Sequence, residues 1–158
     1  MTPNQDVFPL DEVDAGIISA LSLDGRRSYA DIGQAVGLST AAVHERVRKL
    51  VERGTIERFS VQVRPTAVGL NFTAFVAIRN DGSAQCREIA PRLNALPEVL
   101  ELHSVAGEYD FLLKVRTRHP QDLEEVLYQI KAIPGVARTT STVVLSTLFE
   151  GQPLRLQA

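Results

Sequence analysis

The first third of the chain carries apolar residues at the spacing of short amphipathic helices, each followed by a residue that ends a helix. The first apolar stripe consists of Leu10, Val13, Ile17, Ala20 and Leu21. Residues that recur every three or four positions lie on one side of a helix. Asp11 is a suitable N-cap and Gly25 a suitable end, so we predict a first helix between them.

Two further helices are predicted on either side of a very short turn. Ser28 and Asp31 form a capping box for the second helix, which Gly37 ends because glycine adopts a left-handed conformation at little cost. Ser39 caps the third helix, and Gly54 ends it. The apolar stripe of this helix consists of Val43, Val47, Leu50 and Val51. Two capped helices joined by so tight a turn are typical of a helix-turn-helix.

The third helix is the candidate for contact with DNA, because the last helix of this motif enters the major groove with its N-terminal residues against the bases. Arg48 carries a forked guanidinium that suits guanine, whereas Arg46 faces either a phosphate or an acid of the first helix. The predicted DNA contacts are Ser39, Thr40, Ala41, His44, Arg46, Arg48, Lys49 and Arg53. The alternative is an ordinary three-helix bundle with a solvated charged face.

A short connector follows the helices and marks a domain boundary. The stretch from Thr55 to Val63 alternates imperfectly between apolar and polar residues, which predicts a strand. Pro65 breaks this pattern, and a turn ending at Gly69 is expected after it. We therefore assign residues 1–64 to a helix-turn-helix domain with its connecting strand, and residues 65–158 to a second domain.

The second domain repeats one pattern, a strand-helix-strand, twice. The first copy has a strand over 72–78, a helix over 86–96 and a strand ending at 105, with Pro91 predicting a kink or a late start of the helix. In the second copy a strand begins at 111, a helix begins near 120 and a strand runs through 145. This β-α-β-β-α-β order predicts a ferredoxin-like domain with four antiparallel strands and two helices on one face. The whole chain is thus α+β, with a three-helix winged or helix-turn-helix domain first.

The first strand of the repeat, Phe72 to Ile78, is apolar on both faces and needs cover on both sides. The two predicted helices cover one face of the sheet, and the pattern supplies no further helix for the other. We therefore expect a homodimer that forms through the sheets.

Composition and charge narrow the class of protein. The 158 residues are 44% hydrophobic and carry a formal net charge of −2, whereas residues 38–58 carry five basic side chains against three acidic ones. The single cysteine excludes an internal disulfide. One cysteine and three scattered histidines do not suit a structural zinc site, and we expect no cofactor. No apolar run has the length of a membrane span, and the N-terminus lacks the pattern of a signal peptide. We expect a cytoplasmic, nucleoid-associated protein.

The chain resembles the leucine-responsive/asparagine-synthesis (Lrp/AsnC) transcriptional regulators, also called feast/famine regulators, over nearly its whole length. Residues 10–14, LDEVD, are similar to the opening signature of this family, and residues 38–56 follow its recognition-helix signature. The stretch VAGEYDFLLKV, residues 105–115, resembles the hallmark of its ligand-sensing half. Thr55, Phe59 and Pro91 depart from the family pattern.

The resemblance implies a dimer built through the C-terminal sheets, commonly assembled into octamers, and a small effector, typically an amino acid, bound between C-terminal domains. The implied effector contacts are Gly107, Glu108, Tyr109, Asp110, Thr139, Thr140, Ser141 and Thr142. Asp110 suits an α-ammonium group, while Gly107 and the amides of the turn suit a carboxylate. The alternative is that the segment from 107 to 110 is a plain hairpin turn.

The resemblance implies a sequence-specific regulator whose oligomeric state or DNA affinity responds to the effector. One alternative is an effector-sensing adaptor without DNA binding, which Glu45 favours because it repels phosphate. Another is a tetrapyrrole (sirohaem-type) decarboxylase, since those enzymes share this two-domain build. They carry a His-Asn-Tyr-x-Arg-like cluster where this chain reads Gly-Glu-Tyr-Asp-Phe, residues 107–111. We therefore expect no enzymatic activity.

Overall fold

A computed structural model describes residues 10–154 and residue 156. Residues 1–9, on which the expectation of no signal peptide rests, lie outside this range. The chain forms two compact units, the first comprising the described residues up to Gln62 and those from 149 onwards, the second Val63–Leu148. No helix in the described part of the chain is long and apolar enough to cross a membrane.

The first unit contains three helices, as predicted. These are α1 (Glu12–Leu23), α2 (Tyr29–Val36) and α3 (Thr40–Glu52). The carboxylate of Asp11 accepts a hydrogen bond from the backbone N–H of Asp14 at 2.7 Å, which confirms the cap of α1. Ser28 and Ser39 cap α2 and α3 in the same way, and Gly37 ends α2 with φ +72°. The caps fix where each helix begins because they satisfy backbone donors that have no partner inside the helix.

The core of the first unit contains most of the predicted apolar stripes, but Leu10 and Val51 are 41% and 42% exposed and lie outside it. It consists of Ile17, Ala20, Leu21, Ile32, Val43, Val47 and Leu50. Ile17, Ile32 and Val43 are fully buried, each from a different helix. None of the three helices is long enough to be stable alone, so this shared core holds them in place.

The connector after α3 is not the predicted strand. Gly54 ends α3 with φ +73°, and residues 57–64 continue as extended chain without strand pairing in the described residues. Phe59 and Val61 are 53% and 84% exposed. The alternating pattern is present, but a strand also needs a neighbour to bond its N–H and C=O groups. A 3-10 turn follows over Pro65–Val68, and Gly69 ends it with φ +80°, as predicted.

The second unit confirms the β-α-β-β-α-β prediction. Its elements are β1 (Phe72–Asn80), α4 (Cys86–Asn94), β2 (Val99–Ser104), β3 (Phe111–Thr117), α5 (Pro120–Lys131) and β4 (Val136–Val143). The sheet has the order β2-β3-β1-β4, and every neighbouring pair is antiparallel. The predicted late start of α4 is wrong, since the helix begins at Cys86 and continues through Pro91. A capping box between Gln85 and Glu88 fixes that start, and Pro91 removes one backbone donor without ending the helix.

Both helices of the second unit pack on one face of the sheet. The core contains Ala74, Val76, Ile78, Ile89, Leu93, Phe111, Leu113, Val115, Leu123, Val126 and Ile130. Alternate residues of the same strands point to the opposite side, which we call the open face. Thr73, Phe75, Ala77, Arg79, Leu112, Lys114, Thr140 and Thr142 lie on this face, as the strand register shows. Phe75, near its centre, is 39% exposed.

Candidate functional site

The turn between α2 and α3 requires glycine at position 33. A Cβ atom on Gly33 would lie 2.4 Å from the carbonyl oxygen of Leu38, closer than real Cβ contacts allow. The backbone N–H of Leu38 donates to the carbonyl oxygen of Gly33 at 2.8 Å. The start of α3 is thus held directly against α2, as a helix-turn-helix requires.

Arg46 fastens α3 to α1. Its Nη1 donates to Oδ2 of Asp11 at 2.6 Å and to Oδ1 of Asp14 at 2.8 Å. The hydrogen bond from Arg46 lowers the pKa of the Asp11 carboxyl, and the hydrogen bond to Asp11 raises the pKa of Arg46. Of the two partners that the sequence offers Arg46, an acid of the first helix is the one it contacts in this structure.

The outward side of α3 carries a small network of charged side chains. Arg48 donates through Nε to Glu45 Oε2 at 2.9 Å and through Nη2 to Glu45 Oε1 at 2.6 Å, while its Nη1 donates to Glu52. Lys49 Nζ lies 3.6 Å from Glu45 Oε1. These hydrogen bonds, chiefly that from Arg48, lower the pKa of Glu45 to about 2. Glu45 is therefore ionised at physiological pH. The exposed Arg48 side chain is paired with the carboxylates of Glu45 and Glu52.

The other predicted DNA contacts lie at the two ends of α3. Ser39 is the N-cap, and Thr40 and Ala41 follow it on the exposed surface. The His44 ring meets the ring of Tyr29 edge to face, with centroids 5.8 Å apart. Arg53 is the C-cap residue. The contact of His44 with Tyr29, which joins two helices, was not predicted. The Glu45–Arg48 pair was not predicted either, although its three-residue spacing is a usable signal.

In the second unit the structure brings together part of the predicted effector site. The Tyr109 hydroxyl donates to Thr140 Oγ1 at 3.3 Å. Asp110 Oδ2 accepts from the backbone N–H of Asn80 at 2.7 Å, so one of its carboxylate oxygens holds the end of β1. Gly107 has φ +145° and open space around its Cβ position, and Glu108 is exposed. The segment is therefore both a turn that favours glycine and a polar surface next to β4.

The four predicted residues of β4 do not share one side of the sheet. Thr140 and Thr142 pair with Ala77 and Phe75 and lie on the open face. Thr139 and Ser141 lie on the side of the helices, since their partners in β1 belong to the core. The Tyr109–Thr140 contact consequently lies at the open face.

The histidines are dispersed over separate elements. His103 lies in β2, where its Nε2 is 3.6 Å from Glu101 Oε2, and His119 is the N-cap residue of α5. Within residues 10–154 and residue 156, no group of three or more histidine, cysteine, aspartate or glutamate side chains is placed to hold a metal ion.

Comparison with known proteins finds matches to both units. Residues 10–51 match the family of AsnC-type helix-turn-helix domains, and residues 73–154 match the Lrp/AsnC ligand binding domain. The chain is 37% identical over 149 residues to the HTH-type transcriptional regulator FL11 of Pyrococcus horikoshii. That match covers 94% of this chain and 98% of the relative.

Two similar solved structures contain L-methionine. One is a feast or famine regulatory protein from M. tuberculosis complexed with L-methionine, with a TM-score of 0.84 and 37% identity, covering 90% of this chain and 96% of that one. The other is a transcriptional regulator from Neisseria meningitidis in complex with L-Met, with a TM-score of 0.85 and 25% identity, covering 92% and 96%.

Proposed function

The chain belongs to the Lrp/AsnC family of transcriptional regulators, and we propose that it binds double-stranded DNA sequence-specifically under the control of a small effector. The observation that carries this proposal is the α2–α3 turn. Gly33 lets α3 lie directly against α2, and the side chains of its first turns project away from the core. We assign residues 1–64 to DNA binding and residues 65–158 to sensing and assembly. Because the target is chromosomal DNA, we place the protein at the nucleoid, in the cytoplasm.

The proposed DNA contacts divide by position on α3. Thr40, Ala41, His44 and Arg48 meet base edges, because they lie in the first turns on the outward side. Ser39, Lys49 and Arg53 meet phosphates, the first at the helix N-terminus and the others by charge. Arg46 acts as a positioning residue, since its contacts with Asp11 and Asp14 fix the angle of α3.

One helical unit alone is a weak DNA binder. Arg46 and Arg48 are both paired with carboxylates, so the attraction to phosphates rests on few other cations, chiefly Lys49 and Arg53. We propose that affinity comes from two units joined in a homodimer, which presents two recognition helices at once. The open face is the proposed dimer surface, because α4 and α5 leave this side of the sheet uncovered and Phe75, Ala77 and Leu112 form an apolar patch among its polar side chains. Further assembly of dimers gives the octamer.

We propose an amino acid as the effector, because two similar regulators were solved with L-methionine. Gly107 and the turn amides would take its carboxylate, and the second oxygen of Asp110 its ammonium group. Tyr109 and Thr140 would contact the side chain of the amino acid. The other proposed contacts around it are Glu108, Thr139, Ser141 and Thr142. Since Thr140 lies on the open face, a ligand there adjoins the proposed dimer surface. Effector binding then shifts the population of assemblies.

DNA binding is tested with the full-length protein by fluorescence anisotropy. The duplex upstream of its own gene is compared with a shuffled duplex of equal length and composition, at about 0.15 M salt. We expect at least tenfold tighter binding to the natural duplex, and a change in that affinity or in assembly with one amino acid of a twenty-member panel. Equal binding to both duplexes would refute sequence-specific recognition.

The effector site is tested separately by calorimetry, first with L-methionine and then with the other amino acids. Tyr109→Phe removes the hydroxyl that bonds Thr140, and it should weaken binding by about threefold to tenfold, the effect of one hydrogen bond. Tyr128→Phe is the matched control, because Tyr128 is exposed on α5. If neither variant differs from the parent, the ligand binds elsewhere. If no amino acid binds, the effector proposal fails while DNA recognition stands.

A further inference from the structure

Glu45 is at first sight misplaced, since it puts a negative charge on the outward side of the helix that approaches DNA. At one hundred degrees per residue, Glu45 lies almost opposite the apolar stripe of Val43 and Val47, at the centre of the outward side. Its pKa of about 2 keeps it ionised there. A bare carboxylate in this position weakens attraction to any phosphate backbone.

We propose that Glu45 and Arg48 form one base-reading unit, in which Arg48 donates to guanine and Glu45 accepts from a cytosine beside it. This inference rests on the proposed DNA-binding function and makes Glu45 a specificity-determining residue. Glutamate in the major groove accepts from the N4 amino group of cytosine, and arginine donates to O6 and N7 of guanine. The carboxylate thus lowers the affinity for DNA in general, but it strengthens binding where a cytosine lies beside the guanine.

The hydrogen bonds of Arg48 leave the correct donors available. A guanidinium has five N–H donors. Glu45 engages Nε and one donor of Nη2, and Glu52 engages one donor of Nη1. One N–H of Nη1 and one of Nη2 are not engaged by these two carboxylates. Two neighbouring donors are what guanine O6 and N7 require, so Arg48 can read guanine while Glu45 still holds it.

Glu45 Oε2 also keeps an acceptor position after bonding Arg48, because a carboxylate offers about four such positions, whereas Oε1 lies 3.6 Å from Lys49 Nζ as well. The pair therefore presents donors and an acceptor side by side. Holding Arg48 in one orientation also reduces its freedom to bend towards a phosphate. A purely structural role is the competing explanation, since charged pairs three or four residues apart stabilise helices by a few tenths of a kcal/mol. That role affects stability and leaves base preference unchanged.

Glu52 provides a matched control within the same network. It also bonds Arg48, and its side chain is 55% exposed against 46% for Glu45. It lies seven residues later, about 10 Å farther along the helix axis, beyond the turns that meet the bases. Glu45→Ala and Glu52→Ala each remove one carboxylate from Arg48 and change the net charge by the same amount. They differ in position along the helix and in the number of bonds to Arg48, since Glu45 accepts two hydrogen bonds from Arg48 and Glu52 accepts one.

The experiment selects binding sites from a random duplex pool with the full-length parent, Glu45→Ala and Glu52→Ala, and then measures single-base variants of the enriched site by anisotropy. In the parent we expect a G·C requirement worth roughly tenfold or more at the position of the cytosine that Glu45 contacts, beside the guanine that Arg48 contacts in each half-site. Glu45→Ala should reduce that requirement to threefold or less, and Glu52→Ala should retain it. Both variants should bind shuffled DNA slightly more tightly, because each removes a negative charge.

Three results would overturn the proposal. If Glu45→Ala enriches the same site with unchanged base preference, Glu45 has no part in reading while the DNA-binding function stands. If Glu52→Ala loses the preference equally, charge and not position explains the effect. If the parent enriches no site at all, the proposed function itself fails, and this inference fails with it. Circular dichroism of all three proteins confirms that each is folded.

Discussion

At the scale of single residues, Arg46 links the recognition helix to the rest of the helical unit. The side chain of its partner Asp14 is 12% exposed, so this carboxylate depends on Arg46 for compensation of its charge. The sequence placed Arg46 on the flank of α3 but did not distinguish an acid from a phosphate as its partner. That choice depends on the angle between α1 and α3, which local sequence does not determine. By contrast, the caps at Ser28 and Ser39 were predictable because their bonds span three residues.

Replacing Arg46 by methionine should destabilise the first unit by about 1–2 kcal/mol, the cost of leaving a buried carboxylate without its partner. Methionine keeps the aliphatic length of the side chain, so little packing is lost. The measurement is urea unfolding followed by circular dichroism. Arg48→Met is the control, because its ion pairs are exposed and worth about 0.5 kcal/mol or less. Equal destabilisation by the two variants would contradict the anchoring role of Arg46.

The ion pair of Asp11 with Arg46 should also make the first unit sensitive to acid. The bond from Arg46 lowers the folded-state pKa of Asp11 below its ordinary value of 3.8. The ion pair therefore stabilises the fold fully at pH values above 3.8. It is lost as the pH falls through the lower folded-state value. Asp11→Asn keeps an N-cap but removes the charge, so it should lower the melting temperature at pH 7 and have a diminishing effect below pH 3.8.

The test is a series of thermal melts of the parent and Asp11→Asn between pH 7 and pH 2.5. The same substitution is made in the Arg46→Met background, where the carboxylate has lost its partner. There the difference between Asp and Asn should depend less on pH, because only backbone hydrogen bonds still lower the pKa of Asp11. A difference that persists unchanged in that background would show that another group causes it.

At the scale of elements, helices were easier to predict from sequence than the connector. Each helix carries its own start, stop and apolar stripe, all within a few residues. The connector from 55 to 63 has the alternation of a strand, yet its pairing depends on a partner that local sequence cannot supply. Gln62 instead donates through its side chain to the carbonyl of Gly151 at 3.0 Å. This contact spans 89 residues, so no local pattern indicates that residues from 149 onwards join the first unit.

The turn between α2 and α3 allows a prediction at this scale. Gly33→Ala places a Cβ atom 2.4 Å from the carbonyl oxygen of Leu38, so the backbone of α3 has to shift. We expect a loss of stability of about 1–3 kcal/mol, typical of overpacking, and at least a tenfold loss of DNA affinity. Gly25→Ala is the control, because its Cβ would lie 3.8 Å from the nearest atom, at ordinary contact distance. Unchanged melting and DNA binding in Gly33→Ala would show that the turn tolerates a side chain.

At the scale of the whole molecule, the sequence predicted the sheet and its two helices because the strand-helix-strand pattern occurs twice. It also predicted that the face opposite the helices needs cover, since β1 is apolar on both sides. The contacts within the proposed effector site could not be predicted from the sequence. Asp110 bonds the backbone of Asn80, thirty residues earlier in the chain, and Tyr109 reaches Thr140 across to β4. Such contacts follow from strand register, which a turn motif alone does not determine.

The open face leads to the prediction on which the proposed assembly depends. Phe75 lies on that face, 39% exposed and outside the core of the second unit. Phe75→Glu should therefore leave the subunit folded but place a charge in the dimer surface, at a cost that separates the copies. Sedimentation should show a monomer, and DNA affinity should fall by a hundredfold or more, because linked binding sites typically gain about 10²–10⁴ in affinity.

The matched control is Tyr128→Glu, which adds the same charge at a 60% exposed position on α5, in the helical layer. It should sediment and bind DNA like the parent protein. If Phe75→Glu remains a dimer with full DNA affinity, the copies meet elsewhere. The two recognition helices would then be joined through another surface, and effector binding near Thr140 would need another route to the DNA. If instead the dimer dissociates while DNA affinity is retained, one helical unit suffices for binding. The affinity would then not come from joining two weakly binding helical units in a dimer.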